Sequence, residues 1–143
     1  GLIVTLAGSG PTGRQELYRL DLVSGRVEAL TGAPEGSYDP ALSPDGGWLV
    51  FAAPQNGRTD IFALPVTGGA PVRLTDQGAA RAPVVSPDGR LLAFLAIAPG
   101  EPGFDLWIAE LSKEPGGALS AGRSRRLTSG LGIDADSGLA WAP

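Results

Sequence analysis

The sequence predicts an all-β protein made of repeated, four-stranded antiparallel sheets. Glycine (22) and proline (13) together form about a quarter of the 143 residues, which is typical of short strands joined by tight turns. The stretches ALSPDGGWLVF, residues 41–51, and VVSPDGRLLAF, residues 84–94, are near copies. Four strand-like segments recur in each period of roughly 43–45 residues, the size and strand count of one β-propeller blade.

The first strand of each period is an apolar run. It is predicted at residues 2–7, 48–51 and 91–94. The second strand carries an acidic, an aliphatic and an aromatic residue in that order, and alternates afterwards. Its copies are residues 16–20, 60–64 and 105–109. We expect Tyr18, Phe62 and Trp107 to pack between blades. We expect Asp60 and Asp105 to brace loops.

The third strand of each period closes on Leu-Thr, after a turn that is lengthened in the last copy to residues 113–122. The Leu-Thr pairs are residues 30–31, 74–75 and 127–128. The fourth strand is short and ends in Ser-Pro. Its copies are residues 40–44, residues 83–87 and residues 139–143, where Ala142 replaces the serine.

The Pro-Asp-Gly triplets at the end of the fourth strand are predicted to form tight turns, because each of the three residues favours the turn conformation. In residues 44–46 and 87–89, proline presets φ, aspartate bonds its own backbone and glycine accepts a positive φ. Because Asp45 and Asp88 sit in matching turns, their repetition indicates an architectural role.

Together, Ser-Pro-Asp-Gly-x-x-Leu-x-Phe, Asp-Ile-Phe, Gly-Gly and Leu-Thr resemble the repeat of TolB-like β-propellers. The resemblance covers nearly the whole chain as three blades. We expect residues 1–143 to form one domain, with repeats of approximately 1–44, 45–87 and 88–143. The resemblance implies a six-bladed ring in a periplasmic or extracellular protein. The same repeat builds the propeller that covers prolyl-oligopeptidase-type enzymes, and sensor modules of larger bacterial proteins.

The composition excludes several kinds of chemistry. Histidine and cysteine are absent, so the chain has no imidazole base, no thiolate nucleophile and no Ser-His-Asp triad. The net charge of −4 argues against general nucleic-acid binding. We therefore expect no enzyme activity and no cofactor.

Two further patterns have ordinary structural explanations. Residues 8–13 spell GxGxxG, but the segment that follows aligns with strands, whereas a dinucleotide site needs a helix there. The arginines at positions 123, 125 and 126 are typical of charges that keep an edge strand soluble, with an anion site as the alternative.

The candidate binding residues lie in the loops that enter the fourth strand. By the geometry of the resembling family, this strand lines the central channel, and the loops before it form one mouth. These loops differ between copies while the scaffold is constant, which is typical of recognition surfaces. The candidates are Tyr38, Asp39, Arg81, Asp134 and Asp136.

Asp134 and Asp136 allow a second interpretation, because their spacing suits the start of a calcium loop. The EF-hand pattern fails, since Gly138 occupies the third ligand position. A cation site and a solvated loop both remain open at this point.

These observations favour a non-enzymatic module that recognises a protein or peptide at the mouth. The alternatives are the non-catalytic propeller of a prolyl-oligopeptidase-type hydrolase and a purely structural half-propeller.

The chain begins at the glycine of one Pro-Asp-Gly turn and ends at the proline of another. We therefore expect two copies to close one six-bladed ring, with residues 139–142 of each pairing with residues 2–7 of the other. Half of a longer single-chain propeller is the competing explanation.

Overall fold

The computed structural model describes residues 1–6 and 14–143. Within these residues the chain forms twelve β-strands and one short 3-10 turn, Ala135–Ser137, and every strand pair in the sheets is antiparallel. The prediction of an all-β, antiparallel fold is confirmed. No helix of the described part is long and apolar enough to cross a membrane.

The strands form three sheets that follow one another along the chain. The first sheet has the order β1 (Leu2–Leu6), β2 (Glu16–Leu20) and β3 (Val27–Ala29). The second has the order β4 (Tyr38–Leu42), β5 (Trp48–Gln55), β6 (Arg58–Pro65) and β7 (Val72–Arg73). The third contains β8 (Ala80–Val85), β9 (Leu91–Ala96), β10 (Asp105–Lys113), β11 (Leu119–Ala121) and β12 (Arg125–Arg126).

The second sheet is buried on both faces because it lies between the other two. Successive residues of β5 alternate between two cores. Phe51 lies in a cluster with Leu17 of the first sheet, whereas Val50 lies in a cluster with Phe94 of the third. β5 continues to Gln55, four residues beyond the predicted end of this strand, because its ladder with β6 extends to the pair Gln55–Arg58.

Two predicted segments differ from the structure. The lengthened turn at residues 113–122 is partly a hairpin, because β10 continues to Lys113 and pairs with β11. Leu111 and Leu119 of this hairpin reach the large core between the second and third sheets. Residues 139–143, predicted as a fourth strand, form no strand, and no strand of the described residues pairs with them.

The two Ser-Pro-Asp-Gly turns share one hydrogen-bond network. The Ser43 hydroxyl donates to Asp45 Oδ1 over 2.6 Å and accepts from the Trp48 amide over 3.0 Å. The Ser86 hydroxyl does the same with Asp88 and the Leu91 amide, over 2.6 Å and 3.0 Å. The expected aspartate-to-backbone bond is present in both turns, from Gly47 and from Arg90.

A second repeated network joins the acid of the second strand to the threonine of Leu-Thr. Thr75 Oγ1 donates to Asp60 Oδ1 over 2.7 Å and accepts from the Ile61 amide over 2.9 Å. The pairs Glu16–Thr31 and Asp105–Thr128 have the same arrangement in the other two sheets. Asp60 and Asp105 also accept from loop amides, so the expectation that they brace loops is confirmed. We call this arrangement the acid–threonine brace.

Candidate functional site

The edge strands β4 and β8 each contain a β-bulge at the same position of the repeat. The register with the neighbouring strand shifts between Tyr38 and Ala41, and again between Arg81 and Val84. Asp39 in the first bulge has φ 55°, and Ala82 in the second has φ 52°. The aligned residue of the last copy is Gly138, with φ 73°. The two bulges lie in the segments where recognition was predicted, and there Tyr38 and Asp39 of β4 contact Arg81 of β8.

Arg81 is the centre of the candidate site. Its Nε donates to Asp39 Oδ2 over 2.7 Å, and its Nη2 donates to Asp39 Oδ1 over 3.2 Å and to Asp136 Oδ1 over 3.2 Å. The guanidinium carbon lies 4.9 Å from the centroid of the Tyr38 ring, a cation–π distance. The Asp39 carboxylate also accepts from the Ala82 amide over 3.0 Å. We call Tyr38, Asp39, Arg81 and Asp136 the Arg81 cluster.

The cluster connects three successive copies of the repeat. Asp39 lies on β4, Arg81 on β8, and Asp136 in the 3-10 turn of the last copy. We call the surface formed by residues 38–39, 80–82 and 134–138 the mouth face. The opposite surface carries the turns at residues 43–47 and 86–90, and we call it the turn face.

Exposure differs sharply within the cluster. The side chains of Arg81 and Asp39 are 26% and 23% exposed, whereas that of Asp136 is 83% exposed. The hydrogen bonds that Arg81 donates to Asp39 raise the pKa of Arg81 above its ordinary value, so the guanidinium is always charged. Two carboxylates around one guanidinium leave the cluster with one net negative charge.

A shallow pocket lies beside the Arg81 cluster. It is lined by Asp39, Pro83, Ala135 and Leu139, among others.

The fifth candidate, Asp134, lies beside the cluster and has a local role. Its Oδ1 accepts from the Asp136 amide over 3.0 Å and caps the 3-10 turn. Its carbonyl accepts from the Ser137 hydroxyl over 2.7 Å. Within residues 1–6 and 14–143, no group of three or more acidic, histidine or cysteine side chains is placed to hold a metal ion. This geometry gives the calcium interpretation no support.

Sequence reasoning selected the residues of the cluster but not their contacts. It treated Tyr38 and Arg81 as separate loop residues, whereas they contact one another and Arg81 joins two sheets. Gly138 aligns with Asp39 and Ala82. Because glycine is common at positive φ, this glycine could have indicated the left-handed backbone at these aligned positions.

The other sequence patterns lie elsewhere. The GxGxxG at residues 8–13 is outside the described residues. Of the three neighbouring arginines, Arg126 is used structurally, since its Nη2 donates to Asp105 Oδ2 over 2.6 Å.

Comparison by sequence links the chain to TolB. It is 34% identical over 67 residues to the Tol-Pal system protein TolB of Gluconobacter oxydans, which is 47% of this chain and 15% of that protein. It is 29% identical over 76 residues to a TolB homolog of Chlorobaculum tepidum, of which it covers 18%. The chain thus spans less than a fifth of the length of these curated relatives. No family model matches it.

Comparison by structure gives the same fold. The crystal structure of TolB from Acinetobacter baumannii superposes with a TM-score of 0.66 and 23% identity, over 85% of this chain and 28% of that chain. A puromycin-hydrolyzing peptidase of Mycobacterium tuberculosis superposes with a TM-score of 0.67 and 24% identity, over 92% of this chain and 22% of that one. At these identities the likeness concerns the fold alone.

Proposed function

Because the chain has a TolB-like β-propeller fold, we propose that it is a non-enzymatic binding module that recognises a protein or peptide at the mouth face. The observation that carries the proposal is the Arg81 cluster. It holds side chains from three copies of the repeat in fixed positions, with Asp136 exposed and Tyr38 half-buried. Recognition groups that are ordered before binding lose little entropy when a partner arrives.

A second candidate is the non-catalytic propeller of a hydrolase, which the superposition on a peptidase favours. The chain has no histidine and no cysteine, so it can form neither a Ser-His-Asp triad nor a thiolate nucleophile. In this alternative the catalytic groups belong to another part of a longer protein, and the mouth face meets that part. A purely structural role is the third candidate, and it requires no ligand at the mouth face.

The test uses peptides selected on the whole chain from a random displayed library. Asp136→Arg reverses the most exposed charge of the Arg81 cluster, and Glu114→Arg makes the same change in the exposed hairpin between β10 and β11. We expect selected peptides to bind the Glu114 variant as they bind the unmodified chain, and to bind the Asp136 variant at least tenfold more weakly. Equal affinity for all three proteins would reject the mouth face as the binding surface.

We further propose that the partners of this chain include a second copy of itself. β1 is an edge strand of the first sheet, and Leu2 on it is 48% exposed. Trp141, in the segment proposed to pair with β1 of the other copy, is 37% exposed. An open edge with apolar side chains favours pairing with another chain. A head-to-tail dimer would give the six blades that the resemblance implies.

The proposed location is the periplasm or the extracellular space. It rests on the resemblance to TolB-like proteins and on no feature of the fold itself.

A further inference from the structure

A solvent-open crevice of about 420 Å³ lies between the second and third sheets. One wall runs from Arg73 on β7 to Gln77, and the other is residues 121–124, which connect β11 to β12. We call it the arginine crevice. Its walls are mostly polar, and it shares no lining residue with the pocket beside the Arg81 cluster. Its ligand is therefore expected to be a polar group.

The wall from the third sheet contains a β-bulge. Between the pairs that β10 makes with β11 and with β12, two residues of β10 lie opposite residues 122–124. The extra residue of a bulge leaves backbone groups outside the ladder. The amides of Arg123 and Ser124 and the Ser124 hydroxyl donate to no acceptor among the residues that the structure describes. Successive free amides are a common feature of anion sites.

The two arginines of the crevice make no side-chain hydrogen bond within the described part of the chain. Arg123 is exposed. Arg73 lies over the Phe62 ring, and its nitrogens come no nearer than 3.9 Å to the carboxylates of Asp60 and Asp76, which is beyond hydrogen-bond distance. Both carboxylates accept hydrogen bonds from other groups. Two guanidiniums that line one crevice repel each other, so an anion between them is favoured.

The donors of the crevice fit a phosphate group better than a carboxylate. Guanidiniums bind phosphate oxygens through paired, charge-assisted hydrogen bonds. The donors lie on both walls, and a phosphate group directs oxygens toward both, whereas a carboxylate has its two oxygens on one side. The charged residues of the crevice are Arg73, Arg123 and Asp76, which give one net positive charge in a chain whose total is −4.

We propose that the arginine crevice binds a phosphate group, held by Arg73 of the second sheet and by Arg123 and Ser124 of the third. Free phosphate and a phosphate ester share this chemistry. The site uses neither the residues of the mouth face nor the edge strand β1, so it does not depend on peptide recognition or on the dimer.

The test is an NMR titration of the whole chain with sodium phosphate at neutral pH, with sodium chloride added to keep the ionic strength constant. We expect saturable shifts of the Arg123 and Ser124 amide signals. Sodium acetate should bind at least tenfold more weakly. No saturable shift of these signals, or acetate binding as tight as that of phosphate, would overturn the proposal.

Two variants separate a local site from a diffuse effect of charge. Arg123→Gln and Arg125→Gln remove the same charge from exposed side chains two residues apart, but Arg125 does not line the crevice. Arg123→Gln should weaken phosphate at least tenfold, because a charge-assisted hydrogen bond is lost. Arg125→Gln should weaken it about twofold or less. Equal weakening by the two variants would contradict the site.

Methyl phosphate distinguishes the two sources of the phosphate group. If it shifts the same amide signals at least as tightly as inorganic phosphate, the ligand is a phosphate ester. If inorganic phosphate binds more tightly, the ligand is the free anion.

Discussion

The hydroxyls of Ser43 and Ser86 each connect the two ends of a tight turn. Each hydroxyl donates to the aspartate of its turn and accepts from the first amide of the next strand. The sequence predicted the turns and the role of aspartate, because both follow from local backbone preferences. It did not predict the bonds of the serine, although the serine stands in both complete copies of the motif.

We predict that Ser86→Ala destabilises the chain by roughly 1–2 kcal/mol, because two hydrogen bonds are lost. Urea denaturation followed by circular dichroism measures the change. Ser129→Ala, which removes an exposed hydroxyl from a loop, is the control and should stay within about 0.5 kcal/mol of the unmodified chain. Equal stabilities of the two variants would show that the serine bonds of the turn contribute nothing.

The turn aspartates also predict how stability changes with pH. The hydrogen bond from Ser43 and that from the Gly47 amide lower the pKa of Asp45 to about 2. Bonds from Ser86 and the Arg90 amide lower the pKa of Asp88. A carboxyl whose pKa is lowered by folding stabilises the folded state above its ordinary pKa, and this contribution is lost as the pH falls.

We therefore expect the urea midpoint to fall between about pH 4 and pH 2. Asp45→Asn should show a smaller fall than the unmodified chain, because its side chain does not titrate. An identical pH profile for both proteins would contradict the role given to Asp45.

At the candidate site, residue types were predictable and geometry was not. Tyr38 and Arg81 were selected because such residues are common at interfaces. Their contact depends on two bulges and on the approach of β4 to β8, which are separated by about forty residues of chain. Because Arg81 is an ion-pair partner between sheets, Arg81→Ala should affect stability as well as binding. Asp136 is the cleaner probe, since it is mostly exposed.

At the scale of the strands and sheets, the acid–threonine brace fastens the second strand of each sheet to the loop that follows the third. In the second sheet the carboxylate of Asp60 accepts from Thr75 and from the Gln77 amide, and is fully buried. The sequence contains both halves of the brace in every copy. Because the acid and the threonine occur together in every copy, the sequence indicated that they are related. Their hydrogen bond was not predictable, because it depends on the pairing of strands in the folded sheet.

We predict that Thr75→Val destabilises the chain by about 2–3 kcal/mol, because it leaves a buried carboxylate and the Ile61 amide with fewer partners while nearly preserving volume. Thermal and urea unfolding measure the loss. Thr67→Val lies in an exposed turn and serves as the matched control. A loss no larger than that of the control would mean that the brace is dispensable.

The starts of strands were predictable where an apolar run follows a Pro-Asp-Gly turn, as at Trp48 in β5 and Leu91 in β9. The hairpin of β10 and β11 was not, because its position depends on distant contacts. Leu119 packs in the core between sheets, and Lys113 Nζ lies 3.4 Å from Asp45 Oδ2 of the second sheet. Such contacts leave no periodic pattern in residues 113–122.

For the whole molecule, the proposed dimer predicts a defined mass. Light scattering coupled to size exclusion should give about twice the 14.5 kDa of one chain at micromolar concentration. The interface should bury more than about 2,000 Å² in total, as obligate interfaces do. Leu2→Lys places a charge on the exposed edge strand and should shift the protein toward monomer, whereas Leu22→Lys, in an exposed turn, should not. A stable, folded monomer of the unmodified chain would contradict the dimer.

Binding at the mouth face is the central claim, and hydrogen exchange tests it most directly. Amide exchange is measured by mass spectrometry on the whole chain, with and without a peptide selected for binding. We predict slower exchange at residues 38–39, 80–82 and 134–138, and unchanged exchange in the turns at residues 43–47 and 86–90. Protection of the turn face with an unchanged mouth face would contradict the claim.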